Sequence, residues 1–339
     1  MQRIKYNKKE NIIGNFMLDN TFSHALLLDE QGGARKIGFE ELENYNSSMG
    51  LLWIHFDYSH PKSIDWLRNK SGIDEIAIDS LLSNTTRPRT TILNDSVLLA
   101  LRGINLNPNS DPEDMISIRL YVKKNIIISS KKRDLLSVRD ILQNLDEGVG
   151  PKTSSEFLIE LVTKLTGRME DYIIDMEEKV SELEELSLET NNSELRSSIS
   201  EIKRESISFK RYLSPQKEAV YKLHEQKISW VSEYEKIRLR EINHKLIKYV
   251  EDLDSIKDKL SLIQEEISLK LDEQLNNRMY VLSLISAIFL PLGFLTGLLG
   301  INVGGIPGSE NPFSFSIFVI MLIIVVSLQL YVFKKKKWL

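Results

Sequence analysis

The 339-residue sequence contains no cysteine, which excludes a disulfide-stapled fold and every metal site built on thiolates. Histidine is sparse and scattered. His24, His224 and His244 stand alone, and only His55 and His60 lie close together, with Asp57 between them. His55 and Asp57 alternate with apolar residues as in an ordinary strand, and His60 precedes Pro61 in a turn, so structural roles are expected for all three. A basic excess is missing too. The net charge is -4, whereas phosphate binding relies on clustered Lys and Arg, so nucleic acid is not an expected partner. No phosphate loop, nucleophile–base set or metal-ligand spacing occurs, and enzymatic activity is not expected.

Charge itself disappears near the end of the chain. No charged residue lies between Arg278 and Glu310, and none between Glu310 and Lys334. Residues 279–301 read MYVLSLISAIFLPLGFLTGLLGI and residues 313–333 read FSFSIFVIMLIIVVSLQLYVF. A helix needs about 20 apolar residues to cross a bilayer, so both runs qualify as transmembrane helices, at 279–302 and 313–333. The loop between them, 303–312, lacks Lys and Arg, while the tail, 334–339, carries Lys334, Lys335, Lys336 and Lys337. The positive-inside rule then puts the tail in the cytoplasm and the loop outside. Two spans return the chain to its starting side, so residues 1–275 are expected in the cytoplasm. The first ten residues are polar and no apolar leader follows. The expected location is a bacterial cytoplasmic (inner) membrane, with both termini cytoplasmic and the lipid bilayer as a partner.

The first 150 residues alternate short apolar runs, at 25–28, 51–56, 97–101, 117–122 and 125–129, with helical stretches at 64–69 and 74–82. Turn signals such as Gln31-Gly32-Gly33 and Asn107-Pro108-Asn109 separate them. This pattern predicts an α/β domain whose sheet is covered by helices. Residues 151–230 are helical and acidic: 154–190 hold 11 Asp or Glu against 3 Lys or Arg. That run reads either as a solvated face or as a field that concentrates cations. Asn191-Asn192 breaks the helix, and the next is expected to start near Ser193 and end near Tyr212, before Ser214-Pro215.

A stalk helix follows over 231–278. Its apolar residues recur at Ile242, Leu246, Tyr249, Leu253, Ile256, Leu260, Ile263, Ile267, Leu271 and Leu275, about 3.7 residues per step, as in a nearly straight bundle helix. No Pro or Gly occurs from 232 to 290, so the stalk continues into the first span. So narrow a stripe needs neighbours, and self-association around the stalk is the economical reading, with an intramolecular bundle as the alternative.

Polar residues are few in the first span: Ser283, Ser286, Thr296 and the terminal Asn302. Ser283, Ser286 and Gly293 share one helix face, which permits close packing or lines a wet path. A ring of Asn302 amides would offer carbonyl oxygens to a hydrated cation. Gly300-Ile301-Asn302 also reads as an ordinary helix C-cap and turn. Neither span contains His, Cys, Asp or Glu, so oxygen dipoles acting on a hydrated ion are the physical option left. Any proton coupling would then use groups outside the core, such as Glu310, Asp272, Glu273 or His244.

Gly300-Ile301-Asn302 closing a proline-bearing first span, a short loop, a second span and a Lys-rich tail ending Lys337-Trp338-Leu339 resemble the CorA superfamily of divalent-cation transporters. Ile301, where Met is usual, and the Val303-Gly304-Gly305-Ile306-Pro307-Gly308 continuation resemble the ZntB zinc transporters within it. So do 53–58 (WIHFDY), 86–89 (TRPR), 101–106 (LRGINL), 112–115 (PEDM) and 212–216 (YLSPQ). The resemblance implies a CorA-like funnel-shaped homopentamer with one axial pore, in which stalk helices continue as pore-lining first spans. It implies a selectivity ring at Gly300, Ile301 and Asn302, with Asn302 meeting the metal. Below it, Asn276, Met279, Leu282 or Ser283, Ser286, Leu290 and Gly293 would face the pore. Gly293 departs from the hydroxyl residue often found in relatives. Zn2+ would be cargo, with no tightly bound cofactor. A CorA-type Mg2+/Co2+ channel is the alternative, and a membrane-tethered oligomeric scaffold is the second.

Overall fold

The computed structural model describes residues 22–84, 86–189, 193–300, 308 and 311–336. They divide into two compact units meeting between Ile263 and Gln264. The segments 1–150 and 151–230 therefore belong to one unit.

That unit is built on seven strands: β1 (His24–Leu28), β2 (Ala34–Lys36), β3 (Leu51–Asp57), β4 (Arg89–Leu93), β5 (Ser96–Gly103), β6 (Ile116–Lys123) and β7 (Ile126–Lys131). They form one sheet in the order β2-β1-β3-β7-β6-β5-β4. Every neighbouring pair is antiparallel except β3 and β7, which run parallel with Leu52 opposite Ile126 and Asp57 opposite Lys131. The five apolar runs read from the sequence are β1, β3, β5, β6 and β7. β2 and β4 escaped that reading because Ala34-Arg35-Lys36 and Arg89-Thr90-Thr91 carry little apolar signal. Both sit at the sheet edges, where one flank needs no burial.

Both faces of the sheet are covered, as the two-sided apolar runs predict. On one face Leu52, Ile54, Phe56, Leu98, Tyr121 and Ile128 form a core with Trp66 and Leu67 of α2 (Pro61–Asn69) and Ala77, Ile78 and Leu81 of α3 (Glu75–Leu82). Two helices outside the sequence reading, α1 (Phe39–Glu43) and α4 (Leu136–Asp146), complete the layer connections. On the other face lies α5 (Ser154–Glu189), whose Phe157 meets Trp53 edge-on at 4.7 Å between ring centres. Gly103 permits this approach, because a Cβ there would stand 2.7 Å from Leu165 and 2.8 Å from Leu135. Phe157, Leu161, Leu165, Met169, Ile173, Met176 and Val180 of α5 are buried, while most of its acidic residues are exposed. The acidic run is thus the solvated face of an amphipathic helix.

The next helix, α6, runs from Ser193 to Glu225 and passes straight through Pro215, past the stop expected near Tyr212. Burial explains this. Leu213, Gln216, Ala219, Val220 and Leu223 are enclosed beside β4 and β5, and Gln216 Oε1 accepts the Arg102 backbone N–H at 2.7 Å. A proline costs a helix about 3 kcal/mol, less than four buried apolar side chains contribute together.

The third long helix, α7 (Glu233–Leu299), has 67 residues, about 100 Å at 1.5 Å per residue. It starts with a capping box. Ser232 Oγ accepts the Glu235 N–H at 3.3 Å, and Glu235 Oε2 accepts the Ser232 N–H at 2.7 Å. Its stripe of Leu239, Ile242, Leu246, Tyr249, Leu253, Ile256, Leu260 and Ile263 is already buried in a single chain. Lys210 of α6 also pairs with Asp254, 2.6 Å away. Within the chain the bundle thus covers the stripe as far as Ile267, whereas Leu275 at its end is 55% exposed.

The second unit holds the C-terminal part of α7 and α8 (Ser314–Lys335). Both helices are long and apolar enough to cross a membrane.

Candidate ion path

The second unit sorts its side chains by face. On α8, Phe318, Leu322, Val325, Val326 and Gln329 are at least half-covered, one stripe at helical spacing. On α7 the covered residues are Leu284, Ile288, Pro291, Leu292 and Leu295. Gln329 Nε2 donates to the Ala287 carbonyl oxygen at 3.3 Å, tying the two stripes together. Half a turn round α7, at 100° per residue, lie Asn276, Met279, Ser283, Ser286, Leu290 and Gly293, with Leu282 at their margin. All seven are exposed in the single chain, Leu290 to 74%. The structure thus brings the expected pore-facing residues onto one stripe that α8 leaves uncovered.

Gly293 sits at the border of that stripe. With Phe289, Leu292 and Thr296 it faces Leu322, Ile323, Val326 and Ser327 across an open groove of about 520 Å³. Thr296 donates its hydroxyl proton to the Leu292 and Gly293 carbonyls, at 2.9 and 3.1 Å, and so satisfies that proton within its own helix.

α7 ends at Leu299, and the Gly300 N–H still bonds the Thr296 carbonyl at 2.9 Å. A Cβ on Gly300 would lie 2.8 Å from that same oxygen. The residue that opens the expected selectivity ring is therefore one where a side chain does not fit. Ile301, Asn302 and Glu310 lie outside the described residues. His244, Asp272 and Glu273 are exposed on α7.

In the first unit, His55, Asp57 and His60 take structural roles. Asp57 accepts the Ser59 N–H and hydroxyl, at 2.8 and 2.6 Å. His60 precedes the first residue of α2, Pro61. Among the described residues no group of three metal-ligating side chains occurs. His24 is not isolated, contrary to the sequence reading. It pairs with His55 across β1 and β3, their rings stacked 6.0 Å apart. That contact depends on strand register, which spacing along the chain does not reveal. Ser129 Oγ accepts from Trp53 Nε1 at 2.9 Å and lies 2.7 Å from His55 Nδ1, able to donate its own proton there. Burial first, then the charges of Lys131 and His24, hold the His55 imidazole well below the usual histidine value of 6.5.

The sign of the linkage follows. Below about pH 6.5 the unfolded chain takes up a proton that folded His55 refuses, so stability is present above that pH and lost as pH falls. Thermal unfolding between pH 7 and 5.5 should show this as up to about 1.4 kcal/mol per pH unit, and His55→Gln should flatten it. An unchanged slope in the variant would remove His55 as its source.

A stripe that sets Asn276, Ser283, Ser286 and Gly293 among Met279, Leu282 and Leu290 on a membrane-length helix, followed by a glycine with no room for a side chain, is the arrangement on which the comparisons bear. A family model described as "CorA-like Mg2+ transporter protein" matches residues 48–335. The chain belongs to the CorA-like family. It is 36% identical over 319 residues to the divalent cation transporter CmaX of Pseudomonas aeruginosa, covering 93% of this chain and 96% of that protein. It is 34% identical over 316 residues to the zinc transport protein ZntB of Yersinia enterocolitica, covering 93% and 95%. The structure of full-length CmaX superposes with a TM-score of 0.82, covering 93% of this chain and 97% of that one. The CorA-like architecture, an α/β domain followed by a long helix and two C-terminal apolar helices, is therefore the fold of this chain as well.

Proposed function

We propose that the protein carries divalent cations, zinc foremost, across the bacterial cytoplasmic membrane through an axial pore of a homopentamer. The observation that carries this reading is the exposed stripe of α7 from Asn276 to Leu290, which faces away from α8 and leads past Gly293 to Gly300. Five copies of that stripe around one axis would line a path with hydroxyl and amide oxygens. The relatives named for zinc and divalent cation transport support the choice of cargo. Zinc is substrate here, and no resident cofactor is needed. The cytoplasmic tail and external loop follow from the lysine bias.

One observation favours magnesium or cobalt instead. The spans hold none of the His, Cys, Asp or Glu side chains that usually select zinc. Purified protein in liposomes loaded with a zinc-sensitive dye, and in parallel with a magnesium-sensitive one, decides between the two. Zinc entry that speeds up under a pH gradient is the expected result and would add proton coupling. Magnesium entry without zinc would transfer the assignment to the alternative, and flux of neither ion would leave a membrane scaffold.

A further inference from the structure

Pro291 lies inside α7, eight residues before the helix ends. Proline has no N–H, so the carbonyl four residues earlier, that of Ala287, loses its helical donor. In hydrocarbon such an unmet carbonyl costs several kcal/mol and must find another partner. The partner is on the other helix: Gln329 Nε2 donates to this same oxygen at 3.3 Å. Gln329 is the most polar side chain in α8, whose remaining non-apolar residues before its terminal lysines are three serines and a tyrosine. A glutamine facing lipid would itself be unfavourable. Gln329 instead sits on the covered stripe, its Oε1 enclosed with no hydrogen-bond partner among the described residues. Each residue alone is thus a defect in a membrane helix, and the pairing resolves most of both.

We propose that Gln329 is a positioning residue for transport: its amide replaces the N–H that Pro291 lacks and fixes α7 against α8 beside Ser286 and Leu290. This rests on the reading of α7 as the pore-lining helix. The bond sits at the one level where α7 lacks a ladder hydrogen bond and can bend most easily. Fixing that level therefore sets how the stripe below and above Pro291 is aligned along the path.

The experiment is a cycle of Gln329→Leu, Pro291→Ala and the double variant in the full-length protein, read by thermal unfolding in detergent and by zinc-dye flux in liposomes. Gln329→Leu frees the Ala287 carbonyl, and Pro291→Ala leaves the glutamine without its acceptor. The double variant leaves neither group unpaired, because residue 291 again bonds Ala287. Each single variant is expected to slow flux threefold or more and lower the unfolding temperature, with the double variant closer to wild type in both. A side chain that merely fills space would give additive effects. Additive or absent effects on unfolding would overturn the pairing. Coupling in unfolding without change in flux, while Asn302→Ala still silences flux, would overturn the positioning role and leave the pore reading standing. If Asn302→Ala is silent as well, the pore reading falls and the positioning role falls with it.

Discussion

Asn302→Ala should reduce zinc flux by more than about tenfold while leaving the oligomer and its unfolding temperature unchanged. The argument is one of multiplicity. In the proposed pentamer one substitution removes five amide carbonyls from a single ring, and a tenfold change needs only about 1.4 kcal/mol in total. Gly300→Ala should lose flux for a different reason. Its new Cβ would meet the Thr296 carbonyl oxygen at 2.8 Å, so the end of α7 must shift and carry the following residues with it. Flux is measured in liposomes, and assembly by size-exclusion light scattering. Wild-type flux in Asn302→Ala would remove the ring from the mechanism. Loss of assembly would mean that the residue holds the subunits together instead.

Trp53→Ala is the substitution expected to cost the most stability. Trp53 is fully buried between the sheet and α5, with Phe157 against its ring and Ser129 accepting from its indole N–H. Truncating a buried tryptophan costs about 3–5 kcal/mol, a large part of the roughly 5–15 kcal/mol that holds a typical domain folded. At about 2–4 °C per kcal/mol for a unit of this size, the unfolding temperature should fall by about 10 °C. Trp53→Phe should fall less, since it keeps the ring and loses the hydrogen bond. Circular dichroism on the full-length protein in detergent is the measurement, and a fall under about 3 °C would show that the sheet–α5 contact is not where this unit's stability resides.

What the sequence reveals and conceals divides along physical lines. β3, β5 and β6 announce themselves because both faces are buried and the runs are apolar throughout. β4 is hidden, since Arg89 and Thr91 face outward from an edge strand. The end of α6 was misjudged because a local rule about Pro215 met a tertiary surface that outweighed it. The stripe on the stalk is plain in the spacing of Ile242 to Ile263, but its partner is not, because periodicity reports that a face is buried and never by what. The candidate path follows the same division. Its facing residues, Ser283, Ser286 and Gly293, could be aligned by helical arithmetic alone. The bond from Gln329 to Ala287 could not, for it depends on how far α8 slides along α7, and no spacing within either helix encodes that offset.

The one parallel pairing in the sheet also bears on how the domain forms. β4 to β7 are a meander of neighbours, two of its three links being two-residue turns and the third the loop 104–115, so they can zip up locally and early. β3 finds its place beside β7 only after closing the loop 58–125, 68 residues long, at an entropic cost of about 4 kcal/mol. Such long-range closure is slow compared with hairpin formation. During synthesis, β1 to β3 therefore wait outside the ribosome as an unfinished three-stranded piece, with the apolar edge of β3 open, until the last residues of β7 emerge to complete the sheet. An unpaired apolar edge of that kind is open to pairing with other chains until the sheet closes.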